Sequence, residues 1–347
     1  MHSDADKKVS RRGFLNAGLV AAGGAAGWLA GCDQAQPPAP TNRQPLGKRF
    51  TYDVSEYEKV EPGQLLFAAA GQIPTGLQAA SCLAVGADDA LYVGGDQVIK
   101  IFEKDGRPRS ALALPEPPQA LALDKDRVLV AFKDHFAIFD GAGQTLLKGE
   151  ALGPRAHLTA IAATGEVLFV ADAGNREVVR FDAAGKVLGR FGKLGSKDGN
   201  PGFVVPSPYF HLMIGSDGLL WVANPGRHQI QAHTLEGRFE LGWGQPAMCV
   251  EGFCGCCNPS FFARLPDDRF ITSERGLVRI KVYDAKGKFL GLVAGHSQLA
   301  QNDQNLPVYR VACDSAGRVL ALDPITGVIR IFVPKADEPQ KTPAQQK

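Results

Sequence analysis

Four cysteines fall within nine residues, in Cys249-Val-Glu-Gly-Phe-Cys254-Gly-Cys256-Cys257-Asn-Pro. Thiolates at this density ligate soft metals, either zinc or copper, or an iron–sulfur cluster. Glycines beside them let the backbone turn the sulfurs inward. The spacing, C-x4-C-x-C-C, matches no standard zinc or ferredoxin pattern. Two other chemistries compete. In an oxidising compartment Cys249 and Cys254 can close a small disulfide loop, while a bond between Cys256 and Cys257 would be strained and redox-labile. Alternatively, the thiols stay free and reactive. His228 and His296 are the imidazoles that could join thiolates on a metal, with His211 as a further histidine at the head of an apolar strand. Cys82 and Cys313 stand alone in apolar strands and read as small core hydrophobes.

No catalytic residue is assigned. The chain has no Gly-x-Ser-x-Gly elbow, no His-Glu-x-x-His pair and no phosphate loop. The run Gly189 to Gly199 is rich in glycine and lysine but lacks the order and following helix of a phosphate site.

The N-terminus speaks to compartment. A charged stretch leads to Ser10-Arg11-Arg12-Gly13-Phe14-Leu15, and an alanine- and glycine-rich apolar run closes on Leu29-Ala30-Gly31-Cys32. The first segment resembles the twin-arginine export signal and the second resembles the lipoprotein cleavage box. A transmembrane anchor is the competing reading, but the run is weakly hydrophobic and barely long enough. The resemblance implies that residues 1–31 are a signal peptide, that Cys32 becomes the acylated residue, and that acyl chains then hold the protein at a membrane. Asp33 after the cysteine implies, by the same resemblance, the periplasmic face of an inner membrane. Twin-arginine export carries folded proteins, so ligands loaded in the reducing cytoplasm would survive it.

Without residues 1–31 the chain loses four basic and two acidic side chains, which leaves the 38 basic and 36 acidic residues of the full sequence balanced. A neutral chain without a basic stripe excludes nucleic acid as a partner. Residues 32–50, rich in proline and glutamine after the cysteine, read as a tether reaching on the order of 50 Å if polyproline-like. Residues 335–347 read as a polar, disordered tail.

Between these segments, over residues 51–334, the chain repeats. An aromatic or equivalent residue precedes a turn glycine by four positions in Phe102/Gly106, Phe139/Gly143, Phe181/Gly185, His233/Gly237 and Tyr283/Gly287, and Phe332 opens a sixth copy. The copies recur roughly every 40–50 residues and consist of short apolar strands broken by aspartate and glycine turns. No segment beyond the signal shows a helical period. The clearest copy, Leu168-Phe-Val-Ala-Asp172-Ala-Gly-Asn175 to Gly185, resembles the NHL repeat, and Gly252-Phe-Cys-Gly-Cys-Cys-Asn-Pro259 resembles a segment of bacterial NHL-repeat proteins. The resemblance implies an all-β fold, a six-bladed β-propeller of four-stranded blades. The last copy lacks an outer strand, and residues 65–73 are expected to supply it and so remove the free edges.

In such a ring one mouth collects Asp96, Asp172, Asn175, Asn224, His228, Glu274, Arg275 and Asp323. It also gathers the connections Gly192–Tyr209, Gln245–Asn258 and His296–Leu306. Convergent polar groups at a concave mouth are candidate ligand contacts, although acidic and amide residues there often only brace turns. The sequence therefore points to a membrane-anchored module that binds a small molecule or protein at a cysteine-bearing mouth. The alternative is a metal- or redox-dependent enzyme or electron-transfer protein using the same cysteines.

Overall fold

Three aspartates show how the repeat turns. Asp140 Oδ1 accepts the amides of Ala142 at 2.9 Å and Gln144 at 2.8 Å. Asp182 does the same for Ala184 and Lys186, and Asp284 for Lys286 and Lys288. The carboxylate satisfies amides that the reversal removes from the ladder. Gly143, Gly185 and Gly287 then take the left-handed φ of +85°, +77° and +84° that closes each turn. The residue before each aspartate is the repeated aromatic, which ends a middle strand and points between blades. Phe102, Phe139, Phe181, His233, Tyr283 and Phe332 are all buried.

The computed structural model describes residues 53–196, 200–300 and 307–336. The expected signal peptide of residues 1–31, Cys32, the expected tether to residue 50 and nearly all of the polar tail lie outside the described residues. The remainder forms six four-stranded antiparallel sheets. Blade 1 spans residues 80–113, blade 2 residues 120–148, blade 3 residues 158–191, blade 4 residues 212–243 and blade 5 residues 261–294. In each of these the strands follow one another from the inside outward. Blade 6 takes three strands from Arg310–Cys313, Val319–Asp323 and Val328–Pro334. Its fourth is the N-terminal strand Phe67–Pro74, paired antiparallel from Phe67 with Pro334 to Pro74 with Val328. The expected closure is thus present, and it covers an edge that would otherwise expose a row of backbone donors and acceptors.

Middle strands are buried on both faces, as in Val167–Asp172, because each blade packs against the next. Between blades 2 and 3, for example, Phe136 meets Phe181 edge-on with ring centroids 4.9 Å apart. Each side chain fully buried in this way contributes roughly 1.5–3 kcal/mol. Outermost strands such as Pro108–Ala113 are largely exposed. The innermost strands pair on one side only, so their other edge faces the axis and lines a central channel. Among the described residues the only α-helices are the short Ser55–Glu58 and His296–Leu299, and no helix is long and apolar enough to cross a membrane.

Candidate functional site: a clamped cysteine loop at one mouth

Blade 4 ends at Trp243 and blade 5 begins at Phe261, and the connection between them carries the cysteines. A long loop is costly to order, roughly 1–2 kcal/mol per fixed residue, so its ties matter. Most come from one strand of blade 5, Ile280–Tyr283, and the turn before it. Lys281 Nζ donates to the carbonyls of Gly252 at 2.5 Å and Val250 at 3.2 Å. Tyr283 Oη donates to the Glu251 carbonyl at 3.0 Å, and Arg279 Nη1 to that of Met248 at 3.3 Å. Phe253 is sealed beneath the loop, 4.3 Å from Lys281 Nζ and packed on Trp243 and Tyr283.

Glu274 gathers the two cations. Its Oε2 accepts from Arg279 Nε at 2.6 Å, while Lys281 Nζ lies 3.2 Å from its Oε1. Oε1 also accepts the Cys254 amide at 3.4 Å. All three side chains are buried, and burial lowers the Lys281 ammonium to about 8 although Glu274 opposes the shift. Buried ions are costly unless paired and hydrogen-bonded, and the backbone of the cysteine loop answers Lys281 and Arg279 Nη1, while the buried Arg279 Nη2 has no partner.

Asn258 fixes the other end. Its Nδ2 donates to the carbonyls of Cys254 at 2.7 Å and Arg275 at 2.9 Å, while its Oδ1 accepts the Arg275 amide at 2.8 Å. Ser260 Oγ donates to the Cys257 carbonyl at 3.0 Å. The Asn258–Pro259 peptide is cis. From blade 4, His228 Nε2 reaches the Gly255 carbonyl.

The sulfurs divide into two kinds. Cys254 and Cys257 are buried, whereas Cys249 and Cys256 are exposed. Burial, reinforced by the Glu274 charge, pushes the Cys254 thiol up. Cys256 Sγ lies 3.1 Å from Cys257 Sγ, and the hydrogen bond they share holds the Cys256 thiol up. No disulfide joins the six described cysteines. Among the described residues no three His, Cys, Asp or Glu side chains are grouped closely enough to hold a metal ion.

The other candidate residues fall into two groups. Cys254, Cys256, Cys257, Glu274, Arg275 and His228 come together at the loop, with the exposed Arg275 guanidinium 5.8 Å over the Tyr209 ring. Asp172, Asn224 and Asp323 are buried and spent on braces. Asp172 Oδ1 accepts the amides of His157 at 3.0 Å and Asn175 at 3.1 Å, and its Oδ2 accepts from Asn175 Nδ2 at 2.7 Å. Asn224 ties the Val204 amide and the Gly202 carbonyl, and Asp323 accepts the amides of Ile325 and Thr326. The position ending the second strand is therefore a recurrent loop brace in blades 3, 4 and 6, and in blade 5 Glu274, just past the strand Phe270–Ser273, serves in its place. His296 stands apart, 3.3 Å from the Leu277 carbonyl and 3.7 Å from the Glu58 carboxylate. Arg279, Lys281 and the loop contact of the repeat aromatic Tyr283 were not legible as parts of the site in the sequence. The available signal was a lysine between Ile280 and Val282 in a strand that must be buried on both faces.

Fold and loop together define the class of the protein: a six-bladed antiparallel β-propeller with a clamped cysteine insertion at one mouth. No family model and no curated protein matches the sequence. Solved structures do resemble it. A streptogramin B lyase aligns over 78% of this chain and 98% of its own, with a TM-score of 0.53 and 12% identity. Virginiamycin B lyase from Staphylococcus aureus covers 77% and 99%, with a TM-score of 0.51 and 14% identity. A protein of unknown function from Bacteroides thetaiotaomicron covers 78% and 72%, with a TM-score of 0.53 and 13% identity. At these identities the shared property is the fold.

Proposed function

We propose that this chain is an exported, lipid-anchored propeller of the NHL-repeat type that binds a ligand or protein partner at its cysteine-bearing mouth. The observation that carries this reading is the clamp: a buried Glu274–Arg279–Lys281 group fixes a long loop whose Cys256 stays exposed. Ordering a surface loop before it meets anything removes part of the cost of binding. Acylation of Cys32, with the tether behind it, places such a mouth near a membrane surface.

A second reading is favoured by the 3.1 Å approach of Cys256 and Cys257. As a dithiol couple, the two would lose two protons and two electrons in forming one disulfide, while a partner disulfide is reduced to two thiols. This version is an electron-transfer or redox-dependent protein using the same loop. Its metal-dependent form, a soft metal or iron–sulfur centre on Cys249, Cys254, Cys256 and Cys257 with His228 or His296, requires sulfurs now facing different ways to turn together. The lyase activity named for the structural neighbours lends nothing to either reading beyond the shared fold.

The deciding experiment takes the mature protein, purified folded and without oxygen from the membrane fraction, and measures metal content, visible absorption and free thiols. Absence of metal, with the loop thiols titratable after mild reduction, supports the binding and dithiol readings. One metal centre per chain would replace them with the cofactor reading. Recovery of a Cys32→Ala variant in the membrane fraction would contradict the anchor.

A further inference from the structure

The central channel holds a charge that the described residues do not answer. Arg310 heads the innermost strand of blade 6, and its guanidinium lies 3.9 Å over the Phe261 ring of blade 5. No carboxylate among the described residues pairs with it. The neighbouring blades bring Cys82, Ala120, Thr159 and His211 to the cavity that Arg310 and Phe261 line. None of these is acidic. Thr159 Oγ1 donates to the Phe210 carbonyl at 2.6 Å, and Ser81, beside Cys82, donates to the Pro118 carbonyl at 2.6 Å.

The local electrostatics point one way. Burial lowers Arg310 to about 10, so it stays charged at neutral pH. Burial, with help from Arg310, drops His211 to about 3, so the imidazole is neutral, and its sealed Nδ1 has no hydrogen-bond partner. Arg310 is half-buried, and a cation in that setting needs a counter-charge or ample water. An aromatic face replaces only a small part of that. The inner strands also leave one edge unpaired towards the axis, which supplies backbone N–H donors.

We propose that the channel binds one small anionic group, a free inorganic anion or the carboxylate end of a longer molecule, against Arg310. The cavity volume of about 30 Å³ is that of roughly one or two waters. It therefore admits a chloride or a formate-sized group. The site is independent of the cysteine loop and of the chemistry proposed there.

The test uses the folded mature protein at constant ionic strength, with gluconate as the bulky background anion. Thermal unfolding is followed as gluconate is exchanged for chloride, formate or glutarate. The wild-type midpoint is expected to rise by about 3 °C or more with chloride and formate, as binding to the native state alone requires. An equal response to glutarate identifies an end group reached from the mouth, and a response to chloride and formate alone identifies a free ion. An Arg310→Gln variant is expected to lose the response while melting no lower than wild type in gluconate. Chloride-35 line broadening on the wild type, relieved by formate, supplies a readout that does not depend on the variant folding. Equal responses in both proteins, or no specific line broadening, would overturn the proposal.

Discussion

Arg279 Nε donates to Glu274 Oε2 at 2.6 Å with both side chains closed off from solvent, and through Glu274 the pair also holds the backbone of Cys254. Structure and candidate site therefore share one hinge point. Removing one partner of a buried ion pair leaves the other uncompensated and typically costs about 3–5 kcal/mol. Glu274→Ala is expected to lose that much in chemical denaturation. It should also expose Cys254 to alkylation under native conditions. A folded variant with an unchanged midpoint and a protected Cys254 would show that the loop does not depend on the clamp.

Closure by the N-terminal strand carries a second expectation. Phe67–Pro74 supplies the outer strand of blade 6, and Phe67 is buried against blades 5 and 6. Deleting residues 60–74 uncovers the edge of Val328–Pro334 and opens the ring. The shortened protein is expected to unfold without a cooperative transition, as followed by circular dichroism. Retention of a single sharp transition at the wild-type temperature would contradict closure as a source of stability.

Glycine positions separate packing from turn chemistry. A Cβ at Gly174 would sit 1.8 Å from the Arg155 carbonyl oxygen, whereas one at Gly189 meets nothing within 4 Å. Backbone at Arg155 cannot step aside cheaply, so Gly174→Ala is expected to cost at least about 1–3 kcal/mol. Gly189→Ala is expected to be neutral or to stabilise by up to about 1 kcal/mol. Equilibrium unfolding of the two variants side by side checks the contrast.

Acid should find the buried histidines. His233 sits in the repeated aromatic position, packed on Phe191, Phe203 and Phe239, and burial lowers it to about 4. Its folded value lies below the unfolded value, so the unfolded chain takes up the proton first as pH falls. Stability from this residue is therefore complete above about pH 6.5 and declines from there towards pH 4, by up to about 1.4 kcal/mol per pH unit. His233→Phe, which restores the aromatic found in most other copies, is expected to flatten that slope. Parallel slopes for the two proteins between pH 6.5 and 4.5 would contradict the assignment.

Much of the architecture could be read from residues that act locally. The Asp140, Asp182 and Asp284 turns announce hairpins because their chemistry is complete within five residues. The aromatic before each turn then fixes which strand is sandwiched between blades. The cysteine loop was conspicuous by composition alone. Its clamp was not, since Arg279 and Lys281 look like ordinary surface charges until the propeller buries their strand and brings a distant loop over it. Arg310 is a sharper case. Nothing local to its strand marks it out, and only the ring of neighbouring blades brings it to a channel. Likewise Asp172, Asn224 and Asp323 had suitable types for a ligand site, but their burial as braces depends on long-range loop placement.

The most direct measurement on the mouth is titration of the reduced protein with phenylarsine oxide, a reagent that bridges two neighbouring thiols. Cys256 is exposed and its Sγ lies 3.1 Å from that of the buried Cys257, while the sulfur of Cys254, buried to the same degree, has the Asn258 amide beside it. One equivalent per chain is expected to bind, with loss of binding in both Cys256→Ser and Cys257→Ser and no change in Cys254→Ser. Failure to bind, or binding that survives both substitutions, would contradict a mouth built to present this dithiol.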